Sequence, residues 1–173
     1  MRSLLIATFC LASLALSACG PTFNWRDTPI ADTALTALFP CKPLKASRRL
    51  SLGRTEVDLQ MASCNTGGVT VAIGHATVPE AAETAGALKK WREATLAGMR
   101  AKSSNSSPLV LAGADQGSHP ARTQALGIKP GGGEIVLEAA WFARGNEIFG
   151  ALMYGAAPSP DVVETFFSSL KFR

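Results

Sequence analysis

The sequence has no apolar run long enough to cross a membrane comfortably. Residues 3 to 18, "SLLIATFCLASLALSA", run without a charge for only 16 residues, or roughly 24 Å as a helix at about 1.5 Å per residue. A hydrocarbon core of about 30 Å needs nearer 20 residues. Signatures of metal and nucleophile chemistry are missing too. There is no Cys-x-x-Cys pair and no Gly-x-Ser-x-Gly elbow, and the two histidines, His75 and His119, share no ligand spacing with the cysteines. No paired carboxylates stand out, and no internal repeat is present. These absences leave neither a metal nor another cofactor to expect.

The short charge-free stretch follows a positive start at Arg2 and ends in small residues, which is the layout of a secretory signal. Its last four residues, Leu16-Ser17-Ala18-Cys19, resemble the lipobox of bacterial lipoproteins, against the alternative of a chance cysteine at this spot. The resemblance implies cleavage before Cys19 after its thiol has received a diacylglyceryl group. Gly20, rather than an aspartate, then favours transfer to the outer membrane. Three acyl chains would anchor the protein amply, since each buried methylene contributes about 0.8 kcal/mol. Cys10 would leave with the leader. The expected organisation is a signal peptide over 1–18, a lipid-anchored tether over 19–30 and a single globular domain over 31–173.

Cleavage after residue 18 leaves 155 of the 173 residues, a usual size for one domain with a real core. Removing Arg2 from the 17 basic residues leaves 16 against 13 acidic ones, a net of +3. That excess is too small to argue for nucleic acid as a partner.

Cys41 and Cys64 remain, in an exported chain that meets an oxidising periplasm. Between them Leu50, Leu52, Val57, Leu59 and Met61 alternate on both sides of Gly53-Arg54, which is a hairpin pattern. A turn at 53 and 54 places the two cysteines nearly opposite each other, so a disulfide is the expectation. Free thiols and a metal site are the weaker alternatives.

Further along, "NTGG" at 65–68 is a second turn, and Val69, Val71 and Ile73 alternate into a third strand. Thr77-Val78-Pro79-Glu80 has capping-box spacing and predicts a helix over about 80–102. Ala85, Leu88, Trp91, Thr95, Leu96 and Met99 share one face of it, with Trp91 as a core anchor. "SSNSSP" at 103–108 reads as a loop, with strands following at 109–111 and 119–128. "KPGGGE" is a connection, Gly145-Asn146 centres a hairpin, and Ser159-Pro160 opens a closing helix carrying Val162, Val163, Phe166, Phe167 and Leu170. The fold class is therefore α+β, an antiparallel sheet of about six to seven strands covered by one long helix and a C-terminal helix.

The succession "LFPCKP", a β meander, the long helix, "ARTQAL", "AAWFARGNEIFGALMYG" and "VVETFFSSLKF" resembles a group of proteobacterial lipoproteins. More distantly it resembles the PsbP-type α/β/α sandwich of an extrinsic photosystem II subunit and a Ran-release factor. That superfamily implies no common catalytic residues. Its members tend to bind or assist other macromolecules.

Candidate chemistry is sparse. Asp115, Ser118 and His119 lie within five positions on one loop, whereas hydrolytic triads are assembled from separated elements. The glycine-rich stretch 127–133 lacks the Gly-Lys-Ser/Thr ending of a phosphate loop. His75, among apolar neighbours, reads as a hydrogen-bonded structural histidine, with a catalytic one as the rival. Lys42, Lys45, Arg48, Arg49 and Arg54 form a basic run suited to anionic phospholipid or peptidoglycan, or to keeping an edge strand soluble. "FNWRD" at 23–27 places Phe23, Trp25 and Arg26 just past the anchor. Phe23 and Trp25 are expected to pack on the domain and hold it near the membrane, the alternative being contact with lipid headgroups or a partner. The function expected is that of an outer-membrane lipoprotein facing the periplasm. It would bind or assist an envelope component without catalysis, its partners being membrane lipid through acylated Cys19 and an envelope protein or peptidoglycan. The alternative is a small periplasmic enzyme with a pocket between sheet and helix.

Overall fold

The structure, a computed structural model, describes residues 22–173. The expected signal peptide and lipidation site at Cys19 lie outside the described residues. Among the described residues no helix is long and apolar enough to cross a membrane.

Order begins earlier than the sequence pattern indicates. The segment read as a tether to residue 30 contains a strand, β1 (Arg26–Pro29), antiparallel to β2 (Leu35–Phe39). Three polar residues and one proline carry no periodic signal, yet β2 gives their backbone a ladder partner. β3 (Leu44–Leu52) and β4 (Thr55–Thr66) form the expected hairpin about Gly53-Arg54. Gly53 takes a φ of +73°, which favours a residue without a Cβ. β5 (Val69–Thr77) follows Gly67-Gly68, so Asn65 and Thr66 belong to β4 rather than to the turn.

The capping box does not form, because Thr77 is the last residue of β5. A short 3-10 turn, Ala81–Glu83, leads instead into α1 (Thr84–Gly98), and the Thr84 hydroxyl donates to the Ala81 carbonyl at 2.8 Å. α1 stops four residues before the expected end. Arg100 adopts φ +48°, its N–H reaches the Ala97 carbonyl at 3.0 Å, and the Ala101 N–H reaches that of Leu96 at 3.0 Å. This is a Schellman closure made without glycine.

"SSNSSP" is strand β6 (Ser103–Pro108), not a loop. All six residues are exposed, so no alternation betrays them; they are held by pairing with β7 (Ala121–Ile128). Leu109–Leu111, expected as a strand, are irregular: Leu109 and Leu111 lean on the core while Val110 faces solvent. β8 (Glu134–Arg144) and β9 (Glu147–Gly155) form the hairpin about Gly145-Asn146. Ser159 caps α2 (Pro160–Ser168), accepting from the Val162 N–H at 3.4 Å, and β10 (Lys171–Phe172) closes the described chain.

β3 to β9 make one antiparallel seven-stranded sheet in the order β3-β4-β5-β9-β8-β7-β6, and β1-β2-β10 make a three-stranded one. The α+β class and the two covering helices are as the sequence indicates. Alternation divides the large sheet into two faces. Val71, Ile73, Phe142, Phe149 and Met153 pack beneath the small sheet and α2, whose Phe39, Phe166 and Leu170 are buried there. Leu59, Ala139, Trp141, Ile148 and Leu152 pack beneath α1. Trp91 anchors α1 as expected. It fits because Gly74 and Gly150 leave the sheet bare: a Cβ at Gly74 would lie 2.8 Å from the indole.

Candidate functional site

The Cys41–Cys64 disulfide is present, with Cα atoms 6.0 Å apart. A loop of 23 residues closed in this way contributes about 3 kcal/mol through the unfolded chain. Beside it the first described residues dock. The Thr66 hydroxyl donates to the Thr22 carbonyl at 2.6 Å, and the Asn24 N–H donates to the Pro40 carbonyl at 2.8 Å. Phe23 lies over Gly67, where a Cβ would come 2.5 Å from the ring, and stacks on Trp25 with centroids 6.0 Å apart. Both aromatics are half-buried against the core, whereas Arg26 is exposed. Thus Phe23 and Trp25 pack on the domain.

The basic run lies on β3, an edge strand of the large sheet. Alternation sends Lys45 and Arg49 to one face and Arg48 to the other. Arg49 meets Asp58 at 3.4 Å, both well exposed, so the pair contributes little. Among the described residues Lys42, Lys45, Arg48 and Arg54 form no ion pair.

Asp115, Ser118 and His119 do not converge as a triad. The Ser118 hydroxyl donates to the Asp115 carbonyl at 2.6 Å, and the Asp115 carboxylate accepts the Gly145 N–H, tying this loop to the β8–β9 turn. The glycine-rich stretch begins in β7 with Gly127 and Ile128, and its residues 129–133 are the β7–β8 turn, closed by the Gly132 N–H on the Lys129 carbonyl at 3.0 Å. His75 is buried, with Nε2 3.1 Å from Glu147 Oε1 and its ring 5.1 Å from that of Phe149. Burial holds its pKa below the ordinary value, against the opposing charges of Glu147 and Asp32. Its Nδ1 is buried without a partner among the described residues. Among those residues, no group of three or more His, Cys, Asp or Glu is arranged to hold a metal.

The concave surfaces are open clefts. One of about 350 Å³ lies between the β1–β2 loop and β3–β4, lined by Ile30, Lys45, Ser47 and Gln60. Two flank α1. Near its N-terminal half a cleft of about 340 Å³ is lined by Lys89, Arg92, His119 and Trp141. Along its C-terminal half a cleft of about 380 Å³ is walled by Leu50, Trp91, Met99, Ile135 and Tyr154, with Arg48 and Lys129 among its lining residues. Tyr154 lies mostly out of water there, which pushes its pKa up; the charge of Arg48 opposes that rise. Sequence reasoning did not single out Tyr154 or Lys129. Tyr154 follows a continuous apolar run in which neither face of β9 is marked by polar residues, and Lys129 looks like an ordinary turn residue.

No protein-family model matches the chain, and no curated protein matches it.

Proposed function

We propose that the protein is a lipid-anchored outer-membrane lipoprotein, facing the periplasm, whose domain binds or assists an envelope component rather than catalysing a reaction. The observation that carries this reading is the docking of Thr22 and Phe23 onto the β4–β5 turn, beginning three residues after the cysteine of the lipobox-like sequence. Three residues span at most about 10 Å. With Cys19 acylated, the β4–β5 end of the domain is held against the headgroups instead of swinging on a tether. The basic residues of β3 then lie on a body that cannot leave the membrane, where an anionic surface or the peptidoglycan layer is within reach. The disulfide suits an oxidising compartment.

Intact-mass measurement of the full chain produced in a bacterium with lipoprotein processing tests the reading. It predicts loss of the first 18 residues and acylation at Cys19, and a Cys19→Ser chain that keeps its leader. An intact leader on the unaltered chain, or a Cys19→Ser chain processed and membrane-bound in the same way, overturns it.

A further inference from the structure

The cleft along the C-terminal half of α1 combines apolar walls with positive charge. Its walls are apolar and only partly withdrawn from water: Leu50, Ile128, Ile135 and Tyr154 are half-buried around the buried Trp91 and Met99. Arg48 and Lys129, both exposed, supply the charge, and no carboxylate lines the cleft. The two acids adjoining lining residues along the chain, Glu93 and Glu134, are engaged by Lys90 at 2.9 Å and by Lys102 at 3.4 Å. Among the described residues the Tyr154 hydroxyl makes no hydrogen bond, so it is available as a donor. A volume of about 380 Å³ falls in the range of small-molecule sites, which are largely apolar with a few placed polar groups.

The cleft runs from Arg48 and Leu50, which pair with Leu59 and Val57 toward the β3–β4 hairpin, to Tyr154 and Ile135 at the β4–β5 end of the sheet. Thr66, Val69, Gly155 and Val136 form one row across β4, β5, β9 and β8, and the cleft residues Tyr154 and Ile135 immediately adjoin it. That row ends at the turn on which Thr22 and Phe23 dock. We infer that this cleft receives one acyl chain of an anionic phospholipid, with Arg48 and Lys129 taking the phosphate and Leu50, Met99, Ile135 and Tyr154 the chain. The source, a lipid of the adjacent leaflet, rests on the membrane-anchored reading; the chemistry of the cleft does not. A zwitterionic lipid satisfies the apolar walls equally but leaves the two cations facing its own ammonium. The cleft therefore discriminates by charge.

Photo-crosslinking tests the assignment. The full chain is placed in phosphatidylcholine nanodiscs containing a small fraction of phosphatidylglycerol with a diazirine on its acyl chain, and crosslinked peptides are mapped by mass spectrometry. The expected result is labelling centred on Met99, Ile135 and Tyr154, lower by about tenfold when the photoreactive lipid is phosphatidylcholine. Arg48→Ala with Lys129→Ala should abolish that preference. Gly98→Leu should reduce labelling by the anionic lipid, because Gly98 lines the cleft and its Cβ position opens onto free space, so a larger side chain fills the site without a clash. Equal labelling by both lipids, labelling confined to Phe23 and Trp25, or no effect of Gly98→Leu would overturn the assignment. The intact mass of the same preparation reports acylation of Cys19 separately, so failure of the anchor and failure of the cleft are read independently.

Discussion

The two faces of the seven-stranded sheet are covered differently. On one face Phe142 and Phe149 of the large sheet meet Phe172 of β10 edge to face and each other stacked, with centroids 5.4 to 6.0 Å apart, and Phe39 of β2 meets Phe166 of α2 at 6.1 Å. Arg173 ties the end of the chain to β1 through Asp27 at 3.0 Å. Beneath α1 the packing is dense at Trp91, yet Leu50, Ile135 and Tyr154 stay part-exposed on its flank. Geometry accounts for the difference. Seven strands at about 4.8 Å spacing make a surface about 29 Å wide, and one helix is only about 10 Å thick. A helix laid over β8 and β9 leaves open ground on both flanks, and both flanking clefts lie there. The first face, sealed over its centre by β2, β10 and α2 and open only at its β3–β4 edge, where the cleft of about 350 Å³ lies, holds the fold together. The half-covered face has room for something else.

The largest expected effect lies in the sealed face. Phe166→Ala should cost about 3 to 5 kcal/mol in urea denaturation, since it empties a fully buried aromatic site. Ile135→Ala on the open flank should cost less than about 1.5 kcal/mol, because a half-buried side chain has less contact to lose. Comparable losses would remove the distinction between the faces. Next comes the staple at the edge of the sealed face. Cys41→Ser with Cys64→Ser should lower stability by about 3 kcal/mol under oxidising conditions and by nothing further in reductant.

A smaller effect is expected at the rim. Trp25→Ala should lower stability by about 1 to 2 kcal/mol, as a half-buried ring stacked on Phe23 is lost. An unchanged melting temperature would mean that the aromatic pair contributes nothing to holding the N-terminus down. The smallest effect is titration of His75. Its folded pKa lies below the ordinary value because burial disfavours the charged ring, so below about pH 6.5 the unfolded chain binds the extra proton and the folded chain resists it. Its contribution is therefore intact above that pH and is lost as pH falls toward the folded value. The melting temperature should drop as pH falls below about 6.5, and His75→Gln should flatten that segment.

What was legible in the chain follows from what each element buries. Gly53-Arg54 and Gly145-Asn146 punctuate long alternating strands, and Ser159-Pro160 precedes a strongly amphipathic helix, so those elements announce themselves. β1, β6 and β10 do not. They have four, six and two residues, bury almost no side chain, and exist because a neighbour offers a ladder. The end of α1 carries no usual signal, because its left-handed residue is Arg100 rather than glycine. The cleft was illegible for a different reason. Arg48, Trp91, Lys129 and Tyr154 come from β3, α1, the β7–β8 turn and β9, and no spacing in a sequence encodes that meeting.

Hydrogen exchange tests the central claim most directly, that the half-covered face is the binding face of a membrane-held domain. The full chain is compared in nanodiscs of phosphatidylcholine alone and of phosphatidylcholine with phosphatidylglycerol. Slower exchange is predicted at residues 48–50, at the C-terminal half of α1 and at 128–135, with no change in β2 or α2. Protection confined to β1, β2 and α2, or identical exchange in the two bilayers, would contradict it.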